Sequence, residues 1–205
     1  MVLIFENIFN EILVSIFYLG ILVYFLILTI KDRKNKNREI KEIERKSYRI
    51  LWISIPLYIF FAGYISGYVF YLSNSIEFLR YFILPPIFIY IGIIISAIGL
   101  FIYIWGKISL GRYYSHVVSV YKDHRVIDKG PYKYIRHPMY LGSILILFGV
   151  PIVYRSLLSI PLIIIMIVIY NYRANIEEKL LIENLGEEYL NYKKKVKYKF
   201  IPYIF

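Results

Sequence analysis

The sequence predicts an all-α integral membrane bundle of about five transmembrane helices, followed by a C-terminal cytoplasmic helix. Two observations predict it: long uncharged apolar runs in a chain of 205 residues, and basic residues gathered into the segments that join and follow them. Hydrophobic residues make up 59% of the chain when Tyr is counted. Exchanging Tyr for Gly gives roughly 53%, against about 45–50% in soluble chains. That excess is modest, so the distribution of apolar residues decides more than their total. The wealth of Ile, Leu, Phe and Tyr excludes a disordered chain. The lack of Cys removes a disulfide framework, a thiolate metal site and a Cys nucleophile.

Ile12 to Ile30 is 19 residues without a charge, Ile50 to Ile76 is 27, and Tyr81 to Gly106 is 26. About 20 apolar residues cross the hydrocarbon core as a helix, so each run suffices for one span. The first run has no basic n-region and no small-residue cleavage site, unlike a cleaved signal peptide. Pro138 to Tyr172 is 35 residues broken only by Arg155. It holds two short spans that turn near Tyr154, Arg155 and Ser156. A soluble core is excluded because four such runs leave little polar surface to cover them.

Charge placement sets the orientation. Lys31 to Arg49 holds nine Lys and Arg, Lys107 to Arg136 seven, and Arg173 to Lys199 seven, leaving only Arg80 and Arg155 of the 25. Five spans with the N-terminus outside put all three segments on one side, which the positive-inside rule names cytoplasmic. The net charge of +11 is thus a topology signal. A nucleic-acid surface would need basic residues interleaved with aromatics on a soluble fold, so no nucleic-acid partner is expected. The whole chain, 1–205, reads as one domain, with three spans in 1–106 and the chemistry in 107–205.

All three His fall between residues 116 and 137, in the longest polar stretch within the apolar body, punctuated by Gly111, Gly130 and Pro131. Their spacing lacks the i, i+4 pair of a helical zinc motif, so no metal is expected. No Ser sits in a nucleophile elbow, and no Gly-rich phosphate loop is present. His137-Pro138 ends this polar stretch where a span begins. Pro138 fits a first helical turn, where its missing N–H costs nothing. Free amides there, with Arg136 and His137, would favour an anion. Glu177 and Glu178 read as the start of a cytoplasmic helix with an apolar stripe of Ile176, Leu180, Leu181 and Leu185. Such a Glu pair could hold an ammonium or ribose hydroxyls, or merely complement the helix dipole.

Two blocks carry a resemblance. One is Gly130-Pro131-Tyr132 followed by Arg136-His137-Pro138-Met139-Tyr140-Leu141-Gly142. The other is Glu177-Glu178, Leu181, Gly186-Glu187-Glu188-Tyr189 and Tyr192. At this spacing, preceded by His124-Arg125-Val126-Ile127, they resemble the isoprenylcysteine carboxyl methyltransferase family of membrane enzymes over roughly Leu110 to Val196. Either block alone is also similar to phospholipid N-methyltransferases and membrane sterol reductases. The tail Lys197 to Phe205 is similar to the sterol-reductase ending, and about five spans is fewer than the animal enzymes have.

The resemblance implies S-adenosyl-L-methionine as methyl donor, in a cytosol-facing pocket roofed by the C-terminal segment. It implies that His124, Arg125, Val126, Ile127, Tyr132, His137, Pro138, Met139, Tyr140 and Glu177 contact the donor. It implies that Arg173 faces the carboxylate of a prenylcysteine-like, lipid-like substrate, with membrane lipids around it and no obligate protein partner. The implied reaction is carboxyl O-methylation. An α-carboxyl has a pKa of about 3.3–3.7, so it is ionised at neutral pH and needs no general base. The alternatives are an amine N-methyltransferase, which would need a base, and a sterol-type reductase using a reduced nicotinamide.

Overall fold

The computed structural model describes residues 75–114 and 125–201 continuously, with scattered helical positions between 16 and 72. A 3-10 turn, Glu77–Phe82, leads to helix α1, Ile87–Leu110. After the polar stretch, a 3-10 turn at Gly130–Lys133 leads to α2, Pro138–Val153. A further turn at Leu157–Ser159 leads to α3, Leu162–Leu185, and then to the short α4, Glu187–Lys195. Among the described residues there are no strands, only an isolated bridge between Ile83 and Ser156.

Helix α1 shows what solvent it was built for. Its inward residues are small, with Gly92, Ser96, Gly99 and Gly106 buried beside Ile89 and Tyr103. Its outward residues are large and apolar, with Ile87, Ile94, Ile98, Phe101 and Ile108 all exposed. Lipid gives no hydrophobic drive between helices, so membrane interfaces use small residues for close backbone approach. At about 1.5 Å per residue, 24 residues reach roughly 36 Å, enough for a core of about 30 Å. The regions Ile87–Tyr113 and Leu157–Leu185 are both long and apolar enough to cross a membrane.

Helix α2 packs antiparallel on α1 through glycine. A Cβ added at Gly99 would sit 2.6 Å from the carbonyl oxygen of Gly142, and one at Gly142 would sit 2.6 Å from that of Gly99. Gly92 meets Val153 at one end of the pair, and Gly106 meets Met139 and Pro138 at the other. With 16 residues, α2 is shorter than α1 and α3, and ten of its residues are buried. Pro151 cannot donate to the carbonyl of Leu147 four residues back; the hydroxyl of Tyr58 donates to it instead, at 2.7 Å. A polar backbone group left unpaired at membrane depth would cost several kcal/mol, so this bond ties the segment around residue 58 to the core. Tyr58, Ala62, Leu147, Val150, Ile163, Met166 and Tyr170 form that core.

The turn expected at residues 154–156 is present. Arg155 takes a positive φ of 58°, its Nε donates to the carbonyl of Leu84 at 2.6 Å, and its own carbonyl accepts from the Leu84 amide at 2.8 Å. One expectation is corrected. Glu177 and Glu178 do not begin a helix; they lie in the second half of α3, which runs unbroken to Leu185 and stops at Gly186 with φ 54°. The hydropathy change at Arg173 marks where the helix leaves the apolar layer, and nothing there terminates its backbone hydrogen bonding. A complement to a helix N-terminus is therefore not their role. The span expected at 12–30 lies largely outside the described residues, most of that expected at 50–76 is described and is helical between 54 and 72, and the basic connector 31–49 lies wholly outside them.

Candidate functional site

The polar stretch, the end of α3 and the C-terminal segment meet at one end of the bundle. Gly130, with φ 60°, turns the chain under the end of α1, where a Cβ would meet Trp105 Nε1 at 3.3 Å. Helix α4 packs back over this loop. The Tyr192 hydroxyl donates to the carbonyl of Tyr132 at 2.8 Å, and the Val126 amide donates to Glu188 at 3.0 Å. Val126 also packs against Tyr189, Tyr192 and Val196. The tail then pairs with the loop: the Arg136 and His137 amides donate to the carbonyls of Tyr198 and Lys199, both at 2.9 Å. Phe200 is buried against the rings of His137 and Tyr140, with centroids 6.0 and 6.3 Å away.

The two adjacent glutamates divide into different roles. The Glu178 side chain is 5% exposed and gathers three donors: Arg136 Nε at 2.8 Å, His137 Nε2 at 3.1 Å and Lys193 Nζ at 2.6 Å. A buried carboxylate needs such partners. The Glu177 side chain is 31% exposed. It accepts the Tyr140 hydroxyl at 2.7 Å and lies 3.7 Å from His137 Nδ1. The Tyr140 oxygen in turn accepts from Arg173 Nε at 2.9 Å, and the Arg173 guanidinium lies over the Tyr140 ring at 6.0 Å. The His137 and Tyr140 rings stack, 5.3 Å apart and inclined by 2°. Lys199 reaches Asn171 at 2.8 Å and Asn175 at 2.7 Å on α3; burial pulls its ammonium below the usual lysine range.

His137, Tyr140, Arg173 and Glu177 are thus brought together. Tyr132 is buried nearby under α4. Pro138 opens α2 as expected, with Met139 beside it against Gly106. Val126 and Ile127 are half-buried in the loop, and Arg125 is exposed. His124 lies outside the described residues. The expected anion site at Arg136 is not formed in that way. The buried guanidinium donates to Glu178 and to the carbonyls of Val196 and Lys197, so its charge is neutralised within the protein. Lys193, Lys199 and Phe200 were not expected to shape the site, and Glu178 was expected as one of a Glu pair able to hold an ammonium or ribose hydroxyls, whereas it is taken up by Arg136, His137 and Lys193. For Glu178 the sequence did carry a signal, an acid next to Glu177; for Phe200 it offered one apolar residue in a basic tail.

Glu177 is a half-exposed carboxylate next to stacked rings, able to hold a cation beside an aromatic face. Arg173 is a buried guanidinium next to it, able to hold a carboxylate. No group of three or more metal-ligating side chains is present among the described residues.

Residues 87–188 match the family model described as phospholipid methyltransferase. The chain is 37% identical over 93 residues to the protein-S-isoprenylcysteine O-methyltransferase of Saccharomyces cerevisiae, covering 43% of this chain and 38% of that one. It is 30% identical over 118 residues to a probable protein-S-isoprenylcysteine O-methyltransferase of Oryza sativa subsp. indica, covering 56% and 61%. The chain therefore spans between about two fifths and three fifths of these relatives' lengths. A solved structure of a eukaryotic intramembrane Ras methyltransferase, isoprenylcysteine carboxyl methyltransferase, shares the fold with a TM-score of 0.60 at 24% identity, over 73% of this chain and 53% of that one. The two motif blocks and the matching model over residues 87–188 make this chain similar to the phospholipid methyltransferase family and to the isoprenylcysteine O-methyltransferases, and its fold is that of the solved intramembrane enzyme.

Proposed function

We propose that this protein is an S-adenosylmethionine-dependent carboxyl O-methyltransferase acting on a membrane-embedded, prenylcysteine-like acid. The observation that carries the reading is the row Arg173, Tyr140, Glu177, joined by hydrogen bonds of 2.9 and 2.7 Å where α2 begins beside the middle of α3. An acid-binding cation and a cation-binding acid stand side by side where a water-soluble donor and a lipid-borne acceptor can meet.

The residues fit such a donor. Glu177 would hold its ammonium, and the stacked His137 and Tyr140 rings, backed by Phe200, would line its wall. The loop residues His124, Arg125, Val126, Ile127 and Tyr132 would complete the donor side with Pro138 and Met139. When bound, S-adenosylmethionine supplies an activated methyl group. Arg173 would hold the acceptor carboxylate through charge-assisted hydrogen bonds. Because that carboxylate is ionised at neutral pH, the protein need only position it and exclude water. An amine acceptor, as in phospholipid methylation, would bring a cation to the buried guanidinium of Arg173 and would need a base; both count against it.

In this reading 1–205 is a single domain of five crossing segments, with the site and α4 on the cytoplasmic face and residues 107–205 as its core. The test is calorimetry with S-adenosylhomocysteine and with NADPH, followed by methyl-ester formation on N-acetyl-S-farnesylcysteine. We expect S-adenosylhomocysteine to bind, NADPH not to bind, and Glu177→Ala to weaken binding by about tenfold or more, the worth of a hydrogen bond to a charged group. Unchanged affinity in Glu177→Ala removes that residue from the site. Binding without ester formation points to a different acceptor.

A further inference from the structure

We infer that Tyr140 is a positioning residue that couples the two halves of the site, so that the donor side and the acceptor side each bind more tightly when the other is in order. This rests on the assignment of Glu177 to the donor and Arg173 to the acceptor.

The coupling follows from the direction of the bonds. A hydroxyl has one proton. Tyr140 gives it to Glu177, an acceptor only, and its oxygen takes the N–H of Arg173, a donor only. The chain therefore runs one way, from guanidinium through hydroxyl to carboxylate. In such a chain each bond polarises the next. The Arg173 charge makes Tyr140 a stronger donor to Glu177, which fixes the carboxylate for an incoming ammonium. A cation at Glu177 draws on the same chain in the opposite sense and alters how firmly Arg173 is held.

The packing keeps the hydroxyl in place. Arg173 and Glu177 stand one turn apart on α3, while Tyr140 reaches across from α2. Its ring is stacked on His137, with Tyr170 at 5.5 Å and Phe200 at 6.3 Å. His137 is itself fixed by Glu178. The hydroxyl therefore cannot leave the row without disturbing four side chains. A purely structural tyrosine would need this packing but would not link two oppositely charged groups through one oxygen.

The experiment is a double-mutant cycle read in S-adenosylhomocysteine affinity, with no acceptor present. Arg173 does not belong to the donor half, so an effect of Arg173→Gln on that affinity arrives either through the row or by direct attraction between the guanidinium and Glu177, and the Tyr140→Phe background separates the two. We expect Arg173→Gln to weaken binding about fivefold, the low end of measured site-to-site couplings. In a Tyr140→Phe background, which keeps the ring and its stacking, the same change should alter affinity by less than about twofold. Equal effects in the two backgrounds overturn the coupling and leave the methyltransferase reading standing. Should Tyr140→Phe fail to fold, Arg173→Gln alone decides: unchanged donor affinity overturns the inference. A wild-type protein that binds no S-adenosylhomocysteine overturns the function itself, and this inference with it.

Discussion

The apolar body and the polar cap of this protein are held together by opposite means. In the body, α1 and α2 meet through Gly92, Gly99, Gly106, Gly142 and Gly149, with backbone against backbone. In the cap, loop, helix and tail converge on the Arg136–Glu178 pair, with charge against charge. The difference follows from the surroundings. Lipid rewards close packing and offers no hydrophobic drive between helices. At the aqueous end, water competes for every polar group, so a buried pair holds only when its geometry satisfies most of its hydrogen bonds. The site sits on the border, and its residues come from both sides: Tyr140 from the packed body, Glu177 from the helix as it emerges, Phe200 from the tail.

The largest effect should come from breaking the body. Gly142→Leu places a branched side chain where even a Cβ would lie 2.6 Å from a backbone oxygen. Neither backbone can yield without parting the helices, and overpacking of a tight interface already costs about 1–3 kcal/mol when side chains can adjust. We expect Gly142→Leu to abolish monodisperse protein on size-exclusion chromatography in detergent. Gly20→Ala is the control, since a Cβ there meets no described atom within 4 Å. A well-behaved Gly142→Leu protein would show that α1 and α2 are not locked by close approach.

Breaking the cap should come second. Glu178→Ala leaves Arg136, buried with a side chain 7% exposed, without its carboxylate. Removing one member of a buried pair costs about 3–5 kcal/mol. We expect a lower melting temperature, together with faster hydrogen exchange in residues 187–200 and little change in α1. Glu177→Ala removes a half-exposed group and should leave the melting temperature near wild type. If the two variants melt alike, the division of labour between the adjacent glutamates is wrong.

The body was legible in sequence because its pattern is regular. The apolar runs, the turn near Arg155 and the first-turn Pro138 all follow from local chemistry. The glycine interface was less visible, because Gly92, Gly99 and Gly106 recur seven residues apart within one apolar run and only the packing of α2 shows what they admit. In the cap, Lys193, Lys199 and Phe200 lie outside the motif blocks, whereas His137, Tyr140 and Glu177 were legible from them. What each one does was not. Arg136 looked like an anion-binding residue, since nothing local reveals that carbonyls some sixty residues later will take its guanidinium. Glu177 and Glu178 are chemically identical and adjacent, and only the three-dimensional burial separates them. The continuity of α3 through them was hidden because the change in hydropathy at Arg173 resembles an end, although backbone hydrogen bonding is indifferent to where the membrane stops.

The smallest effect should come from the outermost charge contact of the cap. Lys195 Nζ lies 3.0 Å from Asp128 Oδ2, with side chains 64% and 55% exposed. Lys195 holds the Asp128 carboxyl below its usual range, through a hydrogen bond and its charge. A depressed carboxyl stabilises the fold above its unfolded value of about 3.9, and that contribution fades as pH falls through the lower folded value. Water and salt screen so exposed a pair almost completely. We therefore expect Asp128→Asn to melt like wild type at pH 7, in low and in high salt alike. A salt-sensitive loss of stability in Asp128→Asn would mean that surface charge docks the loop onto α4. An unchanged profile leaves that work to the Tyr192–Tyr132 hydrogen bond and to Val126 in its apolar seat, placing the boundary between the two kinds of cohesion inside the cap rather than at the membrane surface.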